Sequence, residues 1–176
     1  MKKLLLGMVA AAALLSVATA SYAQWEDPSA EKPWTISVGA VFHNSDVVPG
    51  VDVKNGCSLS ANYTFGYYDS SEAFVNLQAD FYKVETPADS KNSYSVTPHV
   101  GYRYFLDTDQ SIYIAPSAGV TYSNSGVAGY DRSMTDISAS LALGLKLKEV
   151  RSEIYWNAIP GHDLNDSWGL KIGYRF

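Results

Sequence analysis

Trp168-Gly169-Leu170-Lys171-Ile172-Gly173-Tyr174-Arg175-Phe176 alternates strictly between two kinds of residue. Trp168, Leu170, Ile172, Tyr174 and Phe176 are apolar, and Gly169, Lys171, Gly173 and Arg175 between them are glycines or cations. Successive side chains of a β-strand point to opposite faces, so one face of this strand is greasy to its end and the other is cationic. A sheet in water rarely carries an exposed aromatic face to the end of its last strand. A transmembrane β-barrel does, because that face meets lipid while the other meets the lumen.

Seven further segments upstream repeat the period of two. Their apolar sides are Trp34 to Phe42, Cys57 to Phe65, Ala73 to Phe81, Tyr94 to Tyr104, Ile112 to Tyr122, Ile137 to Leu147 and Ile154 to Ala158. The opposing sides are polar, for example Ser58, Ser60, Asn62 and Thr64 in the second segment and Asn76, Gln78, Asp80 and Tyr82 in the third. Short polar turns are expected near Asp69-Ser70-Ser71, Asp107-Thr108-Asp109 and Lys148-Glu149-Val150-Arg151, and longer loops over 43–56, 83–93, 123–135 and 159–166. Short turns at one end and long loops at the other define the expected fold class: all-β, an eight-stranded antiparallel transmembrane β-barrel with periplasmic turns and extracellular loops. A sandwich would also alternate, but it would not gather aromatics at the strand ends. Trp34, Tyr67, Tyr68, Tyr104, Phe105, Tyr113, Tyr174 and Phe176 fall near the periplasmic ends, and Phe42, Phe81, Tyr82, Tyr94, Tyr122 and Trp156 near the outer ends. Such girdles suit the membrane interface, where one edge of a Tyr or Trp is apolar and the other is wet. Tyr68, Tyr82, Phe105 and Tyr113 have lumen parity on this reading.

The start of the chain carries an address. Lys2 and Lys3 precede an apolar run, Leu4 to Val17, and Ser21-Tyr22-Ala23 supplies small residues before Gln24. Residues 1–23 therefore read as a cleaved secretory signal peptide, 24–32 as a periplasmic leader and 33–176 as the barrel. Without Lys2 and Lys3 the balance is 11 bases against 18 acids, a net charge of −7, which disfavours nucleic acid as a partner. Cys57 is the only cysteine, so no internal disulfide holds the domain. A mean hydropathy of −0.09 is what a chain gives when each strand shows only alternate residues to lipid.

On the lumen face lie Asp80, His99, Arg103, Lys146, Glu153, Lys171 and Arg175. Two carboxylates face four fixed cations, so the interior is expected to be cationic in balance and to form a polar network. Eight strands leave room mainly for side chains, which favours a packed network over a conducting path. An enzymatic reading needs a His beside a nucleophile. His43 and Ser45 have a suitable spacing at the first loop, and His162 sits beside Asp163 in the last. The loop acids Asp46, Asp52, Glu85, Asp89, Asp131, Asp136, Asp163 and Asp166 show no ordered calcium-ligand spacing. No metal or cofactor is expected. Pro98 and Pro116 fall inside strands at lipid parity, where each removes a ladder donor and calls for a bulge or a local gap.

With its signal, eight alternating strands, short turns and the Gly173-Tyr174-Arg175-Phe176 ending, the chain resembles the small eight-stranded outer-membrane β-barrel family, the OmpX and OmpA-barrel type. The resemblance covers nearly all of residues 33–176. It implies a monomer in the bacterial outer membrane, surrounded by its lipids and lipopolysaccharide, with an interior of ion pairs. It also implies that Gly169, Ile172, Tyr174 and Phe176 form the signal read by the barrel assembly machinery. Some barrels of this kind are lipid A deacylases or palmitoyltransferases. The deacylase pattern is a late His-x-Ser-Asn run, whereas this chain has Ile154-Tyr155-Trp156-Asn157-Ala158 there. The expected role is structural or interactive, through four surface loops: envelope integrity, adhesion or antigenicity, with a host or surface ligand as partner. The alternatives are a lipid A-modifying enzyme and a narrow channel.

Overall fold

The computed structural model describes residues 32–43, 50–124, 133–158 and 166–176. They form an antiparallel barrel of eight long strands and one short added strand. The strands are β1 (Trp34–His43), β2 (Asp52–Val53), β3 (Gly56–Tyr68), β4 (Ser71–Glu85), β5 (Ser90–Phe105), β6 (Ile112–Asn124), β7 (Ser133–Leu147), β8 (Val150–Ala158) and β9 (Ser167–Arg175). The ladder runs β1-β3-β4-β5-β6-β7-β8-β9 and closes by pairing β9 with β1, Thr35 opposite Arg175 through to His43 opposite Ser167. Beyond the last ladder pair, Trp34 and Phe176 exchange both backbone hydrogen bonds, at 3.2 and 2.9 Å. Closure matters because a strand edge left in hydrocarbon would strand its N–H and C=O groups without partners.

Burial follows the period of two. Ile36, Val38, Leu59, Leu77, Leu143, Ile154, Leu170 and Ile172 are exposed, while Ser37, Ser58, Ser60, Asn62, Gln78, Ser138 and Ser140 are buried. The pattern is inverted relative to a protein in water, as a lipid solvent requires. The signal segment 1–23 and leader residues 24–31 lie outside the described residues. Lys32 and Pro33 are fastened to the periplasmic rim: Thr64 N–H donates to the Pro33 carbonyl at 2.9 Å, and Lys32 Nζ pairs with Glu149 at 3.1 Å.

Four local features differ from the expectations. First, the register of β3 on β4 shifts between Thr64 and Gly66, leaving Phe65 as the extra residue of a bulge. A one-residue slip exchanges the faces of everything beyond it. Tyr67, opposite Glu72, therefore turns inward and is buried, and Tyr68 moves to the outer wall, where it packs on Tyr102 at 5.7 Å between ring centres. Second, the expected loop over 83–93 is mostly strand. Glu85 pairs with Ser90, and only a short turn remains, tied by Thr86 and Asp89. Third, β2 lies within the expected loop over 43–56 and takes the edge of β4 that β3 vacates, with Val53 opposite Val84. Fourth, β8 begins at Val150, so the turn shrinks to Lys148-Glu149 and Arg151 enters the strand with its side chain buried. Lys148 adopts a φ of 55°, as the first residue of a two-residue hairpin loop often must.

Pro98 and Pro116 produce gaps without a bulge. The β5–β6 register is constant, yet the ladder skips Thr97 and Pro98 opposite Val120 and Thr121, and again Tyr102 and Arg103 opposite Ala115 and Pro116. The β4–β5 and β6–β7 ladders are continuous past the same prolines. Both missing N–H donors thus face one seam. On its lumen side the hydroxyls of Thr97 and Thr121 meet at 2.9 Å across the first gap.

The β5–β6 turn is organised by Asp107. Its carboxylate accepts from the N–H groups of Ser111 and Ile112, at 2.9 and 2.8 Å, and from the Ser111 hydroxyl. These donors, the Ser111 hydroxyl foremost, hold the Asp107 carboxyl below its ordinary value. A carboxyl lowered by folding supports the turn above the unfolded pKa, and that support is lost as pH falls through the folded value. The protection of the Ser111 and Ile112 amides, relative to an unstructured peptide at the same pH, should therefore fall as the pH drops below about 4, the ordinary aspartate range. Asp107→Asn should flatten that dependence. NMR exchange rates in detergent check both.

Candidate functional site

The lower lumen is built around Glu72 of β4, one of the most deeply buried charges in the molecule. Its Oε2 accepts from Arg103 at 3.0 Å and from Arg151 at 2.5 Å, and its Oε1 from Lys146 at 3.1 Å. One carboxylate thus meets three cations drawn from β5, β7 and β8. The Arg103 guanidinium also lies over the Phe74 ring, 4.1 Å from its centre, and Lys146 lies 5.0 Å from the centre of Phe105. Such contacts offset part of the cost of removing cations from water.

A second centre sits beside it. Glu153 accepts from the Tyr113 hydroxyl at 2.8 Å and pairs with Lys171 at 3.3 Å. Lys171 also donates to Gln78 Oε1 at 3.2 Å, and Gln78 Nε2 donates to both oxygens of Asp80 at 2.9 and 3.1 Å. Among the described residues His99 hydrogen-bonds the Ser117 hydroxyl, at 3.3 Å through Nδ1. Arg175 donates to the Lys32 carbonyl at 3.2 Å at the periplasmic mouth. The two tyrosine rings fit because glycines face them: a Cβ on Gly144 would lie 2.2 Å from Tyr113 Cζ, and one on Gly169 would lie 2.5 Å from Tyr155 Cζ.

Of the residues expected on the lumen face, Arg103 and Lys146 join the Glu72 centre. Glu153, Lys171 and Asp80 join the second, with His99 at its margin, and Arg175 lies toward the Glu72 centre. Glu72 and Arg151 carry the larger centre and were missed, although the signal was present. Glu72 continues the polar side of Asn76, Gln78 and Asp80 by two steps through Phe74, and Arg151 precedes Glu153 by one step.

Two apolar clusters accompany the charged centres. At the periplasmic side Phe74, Phe105, Tyr113, Ala115, Ala142 and Tyr155 pack together. At the outer side Val51 and Val53, brought in by β2, pack with Tyr82 and Val84. His43 stacks on Tyr82 with ring centres 4.4 Å apart, and neither of its ring nitrogens has a hydrogen-bond partner among the described residues. Against the first of these clusters lies a lumen cavity of about 30 Å³. Ser45 and His162, considered for chemistry with His43, lie outside the described residues, as do Asp46, Asp131 and Asp163.

The described part of the outer rim is a β2–β4–β5 extension striped with ion pairs. Lys54 bridges Asp52 at 2.5 Å and Glu85 at 3.3 Å, Lys83 pairs with Glu85 at 3.5 Å, and Lys91 pairs with Asp89 at 3.4 Å. All of these groups are half exposed, so each pair contributes little to stability. They fix the charge pattern of the surface instead. The two acids beside it, hydrogen-bonding Asp52 foremost, raise the Lys54 ammonium above its ordinary value.

Comparisons with known proteins agree with this architecture. The family model of the outer membrane protein beta-barrel domain matches residues 9–176. The fold is similar to that of the Yersinia pestis outer membrane protein Ail in a phospholipid bilayer nanodisc, with a TM-score of 0.55 and 16% identity, over 83% of this chain and 100% of that one. It is also similar to Ail, the attachment invasion locus protein, in complex with the heparin analogue sucrose octasulfate, with a TM-score of 0.53 and 14% identity, over 83% and 99% of the two chains. The outer membrane protein OprG from Pseudomonas aeruginosa gives a TM-score of 0.46 at 13% identity, over 83% and 97%. No curated protein sequence matches. The chain is an eight-stranded barrel of the bacterial outer membrane and belongs to the outer membrane protein beta-barrel domain family.

Proposed function

We propose that this chain is a surface-presenting barrel that acts through its outer rim, in attachment or envelope integrity, and neither conducts solutes nor performs chemistry. The observation that carries the reading is the filled lumen of the described residues: apolar clusters toward both ends, the Glu72 ion pairs at the periplasmic end, and a cavity of only about 30 Å³. Among the described residues, side chains fill most of the interior, which favours a non-conducting barrel. Among the described residues, the part that reaches beyond the wall is the β2–β4–β5 extension, with its fixed stripes of lysine and acid. That Ail forms a complex with a heparin analogue supports sulfated sugar as the first ligand class to try on these lysines.

Two measurements test the reading. Purified protein in planar bilayers should show no stepwise conductance, and discrete single-channel steps would favour the channel alternative. Folded protein in nanodiscs should bind a polysulfated glycan, and Lys54→Gln, Lys83→Gln and Lys91→Gln together should abolish that binding. Loss of an acyl chain from lipid A on expression, read by mass spectrometry and abolished by His43→Ala, would instead move the assignment to an enzyme.

The same reading takes residues 1–23 as a cleaved export signal and 24–32 as leader. It takes the barrel as a monomer inserted by the assembly machinery through Gly169, Ile172, Tyr174 and Phe176. Deleting Phe176 should lower the heat-modifiable folded fraction in outer membranes, compared on gels of unboiled and boiled samples. The purified variant should still fold in detergent, since burial of one aromatic contributes only about 1.5–3 kcal/mol.

A further inference from the structure

We propose that the small lumen cavity is a binding site for one small monovalent anion of the halide class. Arg103, Arg151 and Lys171 border it, together with the neutral side chains of Asn76, Ser117 and Ser140. Arg103 Nε and Arg151 Nε and Nη1 are buried and meet no acceptor among the described residues. Both guanidinium side chains are only 2% exposed. Buried donors of this kind are matched by an acceptor or carry a heavy cost. The one carboxylate lining the cavity, Glu153, is already engaged by Tyr113 and Lys171.

Charge distinguishes an anion from water. Around the cavity and the Glu72 centre five cations, Arg103, Lys146, Arg151, Lys171 and Arg175, face three carboxylates, Glu72, Asp80 and Glu153. Positive charge is left over in a place that water reaches only in ones and twos. Water would satisfy the donors and leave that charge, whereas a monovalent anion answers both. Size narrows the class: a cavity of about 30 Å³ admits one or two water-sized bodies. It therefore takes chloride or bromide and excludes gluconate and other organic acids.

The test uses the whole barrel refolded in lipid or detergent. Protein folded in bromide and crystallised should show one anomalous peak inside the cavity beside Arg151. At constant ionic strength, exchanging gluconate for chloride should raise the folding constant. Above saturation it should rise about tenfold for each tenfold increase in free chloride. Asn76→Asp sets a fixed carboxylate in the cavity wall and should remove that dependence. A cavity holding only water in the bromide crystals, or a wild-type response equal in chloride and gluconate, would overturn the proposal. Both of those readings use the wild-type chain, so they decide the matter even if Asn76→Asp does not fold.

Discussion

Glu72→Gln should lower the unfolding free energy of the barrel by about 3–5 kcal/mol, the range for breaking a buried charge cluster by removing one partner. Gln has the shape of Glu and keeps one acceptor oxygen. It cannot answer the charge of Arg103, Arg151 and Lys146, which all bond to this one carboxylate. Arg103 and Arg151 are almost fully buried and cannot turn to water. Denaturant titration of protein folded in lipid vesicles, followed by tryptophan fluorescence, measures the change. Glu153→Gln should cost less, because that carboxylate answers the single cation Lys171 and a neutral tyrosine hydroxyl. A loss below about 1 kcal/mol for Glu72→Gln, the scale of an exposed pair, would show that the three cations are neutralised by something other than Glu72.

On the opposite face, Leu143→Arg should cost about 2–4 kcal/mol, the measured scale for a cation on the lipid face at the bilayer midplane. Leu143 is half exposed on β7, flanked across the ladder by Ile114 and Ile154. Ser140→Arg, three residues earlier on the same strand, places the same group on the lumen side, where Ser140 is buried opposite Ser117 and Asn157. The first variant should be sensitive to bilayer thickness, because a longer acyl chain deepens the site. The second should be insensitive, since its cost is crowding in the lumen. Unfolding titrations in vesicles of two chain lengths separate the two, and equal responses would refute the assignment of faces.

The barrel was legible because lipid and lumen impose opposite chemistry on alternate residues, so that Ile36, Val38, Leu143 and Ile172 announce one face and Ser58, Ser60 and Ser140 the other. What escaped lies where that contrast fails. Phe65 and Tyr67 are both aromatic, so either parity satisfies the interface, and the bulge that turns Tyr67 inward leaves no mark in the pattern. Glu72 and Arg151 fell outside segments whose limits were drawn by apolar residues, although alternation carries straight through both. β2 has two residues, too few to show a period. Whether a proline breaks the bond to the strand before it or after it depends on which way its missing N–H would point. Only the register tells this, and so the coincidence of Pro98 and Pro116 on one seam was hidden.

That seam gives the barrel a preferred place to be cut. β5 and β6 are joined by the turn at 107–111 and share the interrupted ladder, whereas β9 and β1, which carry the two ends of the barrel sequence, are zipped through to Phe176. A circular permutant with its new ends in the turn and its old ends linked would place those ends on strands that already share fewer bonds. It would also convert the continuous β9–β1 seam into an ordinary hairpin. The order of residues in this gene and the order of strength around this cylinder are therefore out of phase by about half a turn.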